Sequence, residues 1–197
     1  MALFDTPIDW KSTNWWRNRS AEERKFHAKV PPRLDHTDCA PSNNMIAAWV
    51  ASYRPGSSLL LTGPTGSGKT YAAVEVLNTL LSTGKISGRF VDADDYIEMI
   101  KDTFDSHGDL PEMYSSPHLL KYIKGVWDVV VLDGLGQERR TDFAKHELGS
   151  LIRHRHDHNL TTVVTSTMGI RELLNVYGDR ISAPLKDMKQ VTLLGRQ

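Results

Sequence analysis

The sequence has little cysteine, no long apolar run and no excess of either charge. Its single cysteine, Cys39, excludes an intramolecular disulfide and fits a reducing compartment. No apolar run approaches the ~20 residues of a membrane-spanning helix, and Asp5 and Asp9 stand where a secretory signal would be apolar. Lys plus Arg and Asp plus Glu both number 24, so nucleic-acid binding would need a local patch. We therefore expect a cytoplasmic protein with no membrane partner.

The composition that is present, 40% hydrophobic and 24% charged residues, is typical of a globular protein. Residues 1–40 differ from the rest, because they end in prolines and turn formers. Three of the five tryptophans lie there: Trp10, Trp15 and Trp16. Ser20 and Glu23 have the spacing of a capping box, which predicts one short helix. We interpret residues 1–40 as an N-terminal extension and residues 41–197 as the main domain.

From residue 43 onward, short apolar segments alternate with segments of helical periodicity. The predicted strands cover residues 58–63, 88–93, 127–134, 160–167 and 189–195. The predicted helices cover residues 43–53, 69–82, 94–104, 142–157 and 170–178. Breaker residues over 105–117 predict a loop. Alternating strands and helices predict an α/β fold, with a parallel sheet that is covered on both faces.

The strongest motif is "GPTGSGKT", which matches the P-loop pattern G-x4-G-K-[ST] in full. It lies between a predicted strand and a predicted helix, where backbone N–H groups and the helix dipole favour phosphate. Lys69 would reach the β and γ phosphates, and the Thr70 hydroxyl would bind magnesium. All eight motif residues are predicted to bind a nucleotide: Gly63, Pro64, Thr65, Gly66, Ser67, Gly68, Lys69 and Thr70.

A second feature of the predicted site is Asp133, which ends the third predicted strand. An acid there suits the magnesium shell of a P-loop protein, although it could also only begin a turn. Gly134 follows it and has no side chain to orient an attacking water. Glu138 is the next carboxylate along the chain. It either takes over that role or is an exposed loop acid.

Four segments carry a resemblance to a known family: "LLLTGPTGSGKTYAA", "DVVVLDGLGQE", "LIRHRHDHNLTTVVTST" and "ELLNVYGDRIS". In order and spacing they resemble the DnaC/DnaI-type helicase loaders and the related IstB transposition ATPases of the AAA+ class. The resemblance implies a P-loop AAA+ (ASCE) three-layer sandwich with a five-stranded parallel sheet in the order 5-1-4-3-2. It further implies a short N-terminal helical extension, no C-terminal lid domain, ATP and Mg²⁺ as cofactors, and self-assembly through the ATP site. The short N-terminal segment favours a phage-encoded member.

Three positions depart from the family pattern. The usual acid after Asp133 is Gly134, the usual sensor asparagine is Thr167, and the usual arginine finger is Pro184. Arg180 matches the first arginine of the family's "GERxxxRL" pattern and either substitutes for the finger or is an ordinary helix-end arginine. These departures predict tight ATP binding with a weak or absent ATPase activity. The candidate catalytic residues are Asp133, Glu138, Thr167 and Arg180, with Thr70 and Asp133 as candidate Mg²⁺ ligands.

Two patches are candidates for partner binding. Between Lys11 and Lys29, six Lys or Arg residues and two acids are interleaved with aromatic residues. This segment, around Trp10, Trp15 and Trp16, either docks on a replicative helicase or single-stranded DNA or packs on its own domain. The run "RHRHDH" has two histidines one turn apart, too few for a metal site, and is read as a solvated helix end. Arg153 and Arg155 in that run could instead face DNA or a neighbouring subunit.

The leading hypothesis is therefore a replicative DNA helicase loader that binds helicase and single-stranded DNA, with ATP as an assembly switch. One alternative is an IstB-like ATP-binding partner of a transposase. Another is a nucleotide-binding adaptor without hydrolysis, which Gly134 and Pro184 favour.

Overall fold

The computed structural model describes residues 13–34, 41–105, 116–139 and 141–195. One sheet of five strands forms its centre: β1 (Leu59–Thr62), β2 (Gly88–Asp92), β3 (Val129–Asp133), β4 (Thr161–Ser166) and β5 (Lys189–Thr192). The spatial order is β2-β3-β4-β1-β5, and all four pairings are parallel. This order confirms the predicted 5-1-4-3-2 arrangement and the α/β class.

The described residues form nine α-helices. They are α1 (Thr13–Arg17), α2 (Ala21–His27), α3 (Asn44–Ala51), α4 (Lys69–Ser82), α5 (Ala93–Asp105), α6 (Ser116–Gly125), α7 (Asp142–Asp157), α8 (Ile170–Tyr177) and α9 (Ser182–Asp187). The capping box of α2 is confirmed, because the Ser20 hydroxyl accepts from Glu23 N and the Glu23 carboxylate accepts from Ser20 N. Helices α1, α6 and α9 were not predicted, and α6 includes the last two residues of the predicted loop; residues 106–115 lie outside the described residues.

Helices cover the sheet on two sides, which gives the three-layer arrangement. Helix α4 connects β1 to β2 and packs across β1, β2, β3 and β4, and α2 and α3 pack against it. Helix α7 packs on β4 and contacts α5, α6, α8 and α9. Right-handed crossovers in this strand order place α4 on one face and the α5–α9 group on the other. The inner strands β1, β3 and β4 are almost wholly buried, as expected for parallel strands covered on both faces.

The N-terminal helices pack on the domain itself. Trp16 is 1% exposed and belongs to the core, and its ring meets that of Trp15 edge-on at 5.1 Å. Phe90 N of β2 donates to Ala28 O at 2.7 Å, so the chain after α2 covers part of the outer edge of β2. Trp16 is therefore a core residue and is not accessible to a partner, whereas Trp10 lies outside the described residues. Within the described part of the chain, no helix has both the length and the apolar character needed to cross a membrane.

Candidate nucleotide-binding site

The P-loop connects β1 to α4 at the carboxyl edge of the sheet. Gly63, Gly66 and Gly68 have φ values of 144°, 79° and 85°, which L-residues with side chains rarely adopt. A Cβ added at Gly66 or Gly68 would meet nothing within 4 Å, so open space lies on that side of the loop. The glycines therefore shape a curled backbone, and the open space beside Gly66 and Gly68 leaves room for phosphate.

Lys69, the first residue of α4, turns its side chain back over the loop. Its ammonium donates to Gly63 O at 2.9 Å and to Pro64 O at 2.7 Å, and the residue is only 6% exposed. Burial lowers the pKa of the Lys69 amine, and the nearby Asp133 carboxylate opposes that shift. The loop carbonyls thus hold a cation at the N-terminus of α4, where phosphate oxygens would compete for the same protons.

Thr70 and Asp133 are brought together as the sequence predicts. The Thr70 hydroxyl lies 3.0 Å from both carboxylate oxygens of Asp133 and donates its one proton to them. Thr165 on β4 also donates to Asp133 Oδ1, at 2.6 Å, and accepts from Gly134 N at 2.9 Å. Three neighbouring elements (α4, β3 and β4) therefore fix the carboxylate. The roles of Thr70 and Asp133 in metal binding remain predictions.

The sequence reasoning missed Thr165 and Asp92. The parallel register pairs Asp92 at the end of β2 with Asp133 at the end of β3, so both side chains leave the same face of the sheet. Asp92 Oδ1 accepts from Asp94 N at 2.8 Å, and Oδ2 lies 3.6 Å from the position of a Cβ added at Gly134. Burial raises the pKa of the Asp92 carboxyl, backbone hydrogen bonds from Asp94 and Asp95 oppose that shift, and the charges of Asp95 and Asp133 add to it. The signal for Asp92 was present in the sequence as an acid at the end of a predicted strand.

Glu138 is not the exposed loop acid that one reading of the sequence expected. It is 3% exposed, accepts from Gly136 N at 2.7 Å, and accepts a short hydrogen bond from the Tyr177 hydroxyl. Its carboxylate therefore connects the loop after β3 to the end of α8. A role in hydrolysis would require Glu138 to leave both partners, and that role remains a prediction.

The other candidate catalytic residues, Thr167 and Arg180, follow β4 and α8 respectively. Thr167 follows the last residue of β4 and is half-buried, but Thr165 is the β4 threonine that contacts Asp133. Arg180 is exposed on a 3-10 turn (Asp179–Ile181), where its Nη1 lies 2.6 Å from His146 Nδ1. Pro184, at the usual finger position, is buried in α9. The roles of Thr167 and Arg180 in catalysis remain predictions.

The basic run at the end of α7 differs from one of its sequence interpretations. Arg155 is 0% exposed, so it faces neither DNA nor a neighbouring subunit. Its guanidinium donates to Ile123 O at 2.7 Å, to Trp127 O at 3.0 Å and to Thr161 O at 2.7 Å. The His154 and His158 rings stack at 3.9 Å, and no three His, Cys, Asp or Glu residues of the described chain form a metal-binding group.

The residues present fit a bound nucleoside triphosphate. The loop offers open space at two glycines, a buried ammonium at its rim, and a hydroxyl–carboxylate pair beside it. Magnesium prefers such hydroxyl and carboxylate oxygens together with phosphate oxygens.

The fold and the P-loop site together place the chain among the P-loop AAA+ proteins, which have an ATP-binding fold. A family model described as IstB-like ATP binding protein matches residues 46–186, which is more than half of the chain. The chain belongs to the IstB-like ATP-binding family.

Solved structures of replication proteins share this fold. The DnaC helicase loader is 24% identical with a TM-score of 0.68, over 84% of this chain and 99% of that one. DnaI is 23% identical with a TM-score of 0.61, over 84% and 94% of the two chains. A replication initiator DnaA bound to AMPPCP and single-stranded DNA is 15% identical with a TM-score of 0.59, over 83% and 50%. These similarities show the fold alone. No curated protein matches the chain.

Proposed function

We propose that this protein is an ATP-controlled loader of a replicative DNA helicase. It binds ATP with Mg²⁺ at the P-loop, and the bound nucleotide switches assembly with the helicase and with single-stranded DNA. The observation that carries this proposal is the complete P-loop with Thr70 hydrogen-bonded to Asp133, on the fold of the DnaC helicase loader. The similarity of the fold to DnaA bound to single-stranded DNA supports the choice of nucleic acid.

Lys69, Thr70 and Asp133 have separate tasks in this proposal. Lys69 exchanges the Gly63 and Pro64 carbonyls for phosphate oxygens, which keeps its charge paired while the loop binds ATP. Thr70 and Asp133 would hold the Mg²⁺, Thr70 through its hydroxyl and Asp133 through its carboxylate. Bound Mg²⁺ would neutralise charge on the phosphate oxygens.

Slow hydrolysis is part of the proposal, because three groups that would speed it are absent or engaged elsewhere. Gly134 offers no carboxylate, Pro184 is buried where the family places an arginine, and Glu138 is bonded to Tyr177. An arginine finger alone contributes ~10³–10⁵ in rate. ATP therefore stays bound at the site for a long time, and its presence, not its hydrolysis, controls assembly.

Self-assembly through the ATP site is also proposed. Arg180 is exposed on the turn between α8 and α9, where it contacts His146 of α7, and a neighbouring subunit could take over that contact. Sedimentation of the wild type with ATP should show larger species than without ATP. An Arg180→Ala variant should remain in the smaller species while its own P-loop still binds ATP.

A pull-down of the host's replicative helicase tests the loader function. We expect capture with ATP, weaker capture without it, and loss of the ATP effect in Lys69→Ala. Lys186→Ala, an exposed lysine on α9, is the matched control and should behave as the wild type. ATP binding without helicase capture under any condition would contradict the loader function and favour an adaptor.

The family match favours a second candidate, an IstB-like ATP-binding partner of a transposase. Such a protein would prefer duplex DNA and form larger filaments. Comparing ATP-dependent binding to single-stranded and duplex DNA of one sequence separates the two candidates. Strong preference for the duplex would contradict the loader.

A further inference from the structure

The carboxyl edge of the sheet holds a second carboxylate beside Asp133 that neither the motif nor the family pattern uses. Asp92 ends β2, the neighbour of β3, and is directly opposite Asp133 in the register. Side chains at paired positions of parallel strands project from the same face. Asp92 and Asp133 therefore border the same part of the nucleotide site from adjacent strands.

The orientation of Asp92 is fixed by the first turn of α5. Its Oδ1 accepts from Asp94 N at 2.8 Å, which leaves Oδ2 on the side of Gly134. A Cβ added at Gly134 would find Asp92 Oδ2 at 3.6 Å as its nearest neighbour, with Gln137 Oε1 at 3.8 Å. The carboxylate of Asp92 thus borders the space that a longer side chain at position 134 would enter.

We infer that Asp92 supplies the carboxylate that Gly134 lacks and acts as the general base for ATP hydrolysis at this site. The inference rests on the proposed function, because it requires ATP at the P-loop. A water oxygen bonds to the γ-phosphorus while the bond from that phosphorus to the β–γ bridging oxygen breaks. ADP leaves with that electron pair, and the water proton moves to Asp92 Oδ2 and then to solvent.

The surroundings of Asp92 suit this role. Asp92 is half-buried and its Oδ1 is held by Asp94 N, so a water proton would be accepted at Oδ2, which faces Gly134. Gln137 lies close to the same space, but an amide has no free acidic or basic state and can only orient the water. The aspartate side chain is short and comes from the adjacent strand β2, which agrees with the slow ATP hydrolysis proposed above.

The decisive variant is Asp92→Asn, which keeps the size of the side chain and the acceptor for Asp94 N. Single-turnover hydrolysis with the protein in excess over labelled ATP should fall by ~10² relative to the wild type. Loss of a like charge near the γ-phosphate should also tighten ATP by ~3–10-fold and ADP by less, measured with fluorescent analogues. This second readout does not depend on turnover.

Glu98→Gln is the matched control, because it removes an exposed carboxylate from the same helix, α5. Its hydrolysis rate should stay within about twofold of the wild type, in the range of surface charge effects. An equal fall in both variants would overturn the inference, because a general field effect would then explain both.

Three further results would overturn it. The first is an unchanged hydrolysis rate in Asp92→Asn. The second is a hydrolysis rate that falls in Gln137→Ala but not in Asp92→Asn. The third is a wild-type hydrolysis rate no higher than that of Lys69→Ala. In each case ATP binding by the wild type would still support the proposed function. Failure of the wild type to bind ATP at all would contradict the proposed function instead.

Discussion

At Gly134 the backbone turns away from β3 with a φ of 77°, and its N–H donates to Thr165 Oγ1 at 2.9 Å. The missing side chain at this position therefore has two consequences. It removes a carboxylate from the expected place, and it lets the chain adopt a left-handed conformation that brings the peptide N–H to Thr165. Restoring a glutamate here would add the acid but would also strain the turn.

The Gly134→Ala variant measures that strain separately from the chemistry. We expect the free energy of unfolding to fall by about 1–2 kcal/mol, because the added Cβ disfavours positive φ while meeting no atom closer than 3.6 Å. Gly125→Ala in α6 is the control, where the added Cβ has only an ordinary 3.6 Å contact and should stabilise by ~0.4–1 kcal/mol. Urea unfolding of both variants checks the pair, and equal effects would contradict the strain argument.

Glu138 and Tyr177 form the other residue-scale test. Because Glu138 is almost fully buried, Glu138→Ala removes the acceptor for the Tyr177 hydroxyl and for Gly136 N. We expect about 2–4 kcal/mol of destabilisation from the buried donors left without this partner. Glu22→Ala, on the exposed face of α2, should change unfolding by less than ~0.5 kcal/mol.

Turnover separates the two readings of Glu138. If its role is to join the loop to α8, Glu138→Gln should hydrolyse ATP at close to the wild-type rate. A large fall in that rate with little loss of stability would support the catalytic role instead.

At the scale of elements, Arg155 joins the end of α7 to the end of α6 and the start of β4. Arg155→Met should cost about 3–5 kcal/mol, since the buried carbonyls of Ile123 and Thr161 lose their charged donor. Arg153→Met, two residues earlier on the exposed side of the same helix, should cost less than ~0.5 kcal/mol. Thermal unfolding measures both, and a small effect at Arg155 would contradict the connecting role.

Arg155 also illustrates what the sequence could and could not predict. Periodicity predicted all five strands, and the family resemblance predicted their order. The motifs predicted Thr70 and Asp133 as ligands of one metal, and the structure places the two side chains in contact. Periodicity and motifs did not predict α6, whose Pro117 reads as a breaker although a proline fits the first turn of a helix. Nor could they predict the burial of Arg155, because it depends on contacts between elements distant in the chain. The position of Asp92 could have been inferred from the predicted strand order, which makes β2 the neighbour of β3.

At the scale of the whole molecule, the N-terminal helices are part of the domain's packing. Arg89 Nη1 on β2 donates to His27 O at 3.2 Å, and Trp16 lies in the core. Deleting residues 1–29 would therefore expose part of the core as well as remove a docking segment. Loss of helicase binding by that deletion would not identify the docking residues, so single substitutions are needed.

Phe26 and Trp16 provide that separation, since they lie within one segment but differ in exposure. Phe26 is 68% exposed, and Lys29 Nζ lies 5.0 Å from its ring centroid, which gives a cationic, aromatic surface. Phe26→Ala should leave the free energy of unfolding within ~0.5 kcal/mol and weaken helicase capture, because an exposed ring contributes to contact and little to the core. Trp16→Ala should instead cost about 3–5 kcal/mol. Full helicase binding by a stable Phe26→Ala protein would show that the described part of the N-terminal segment does not dock through this surface.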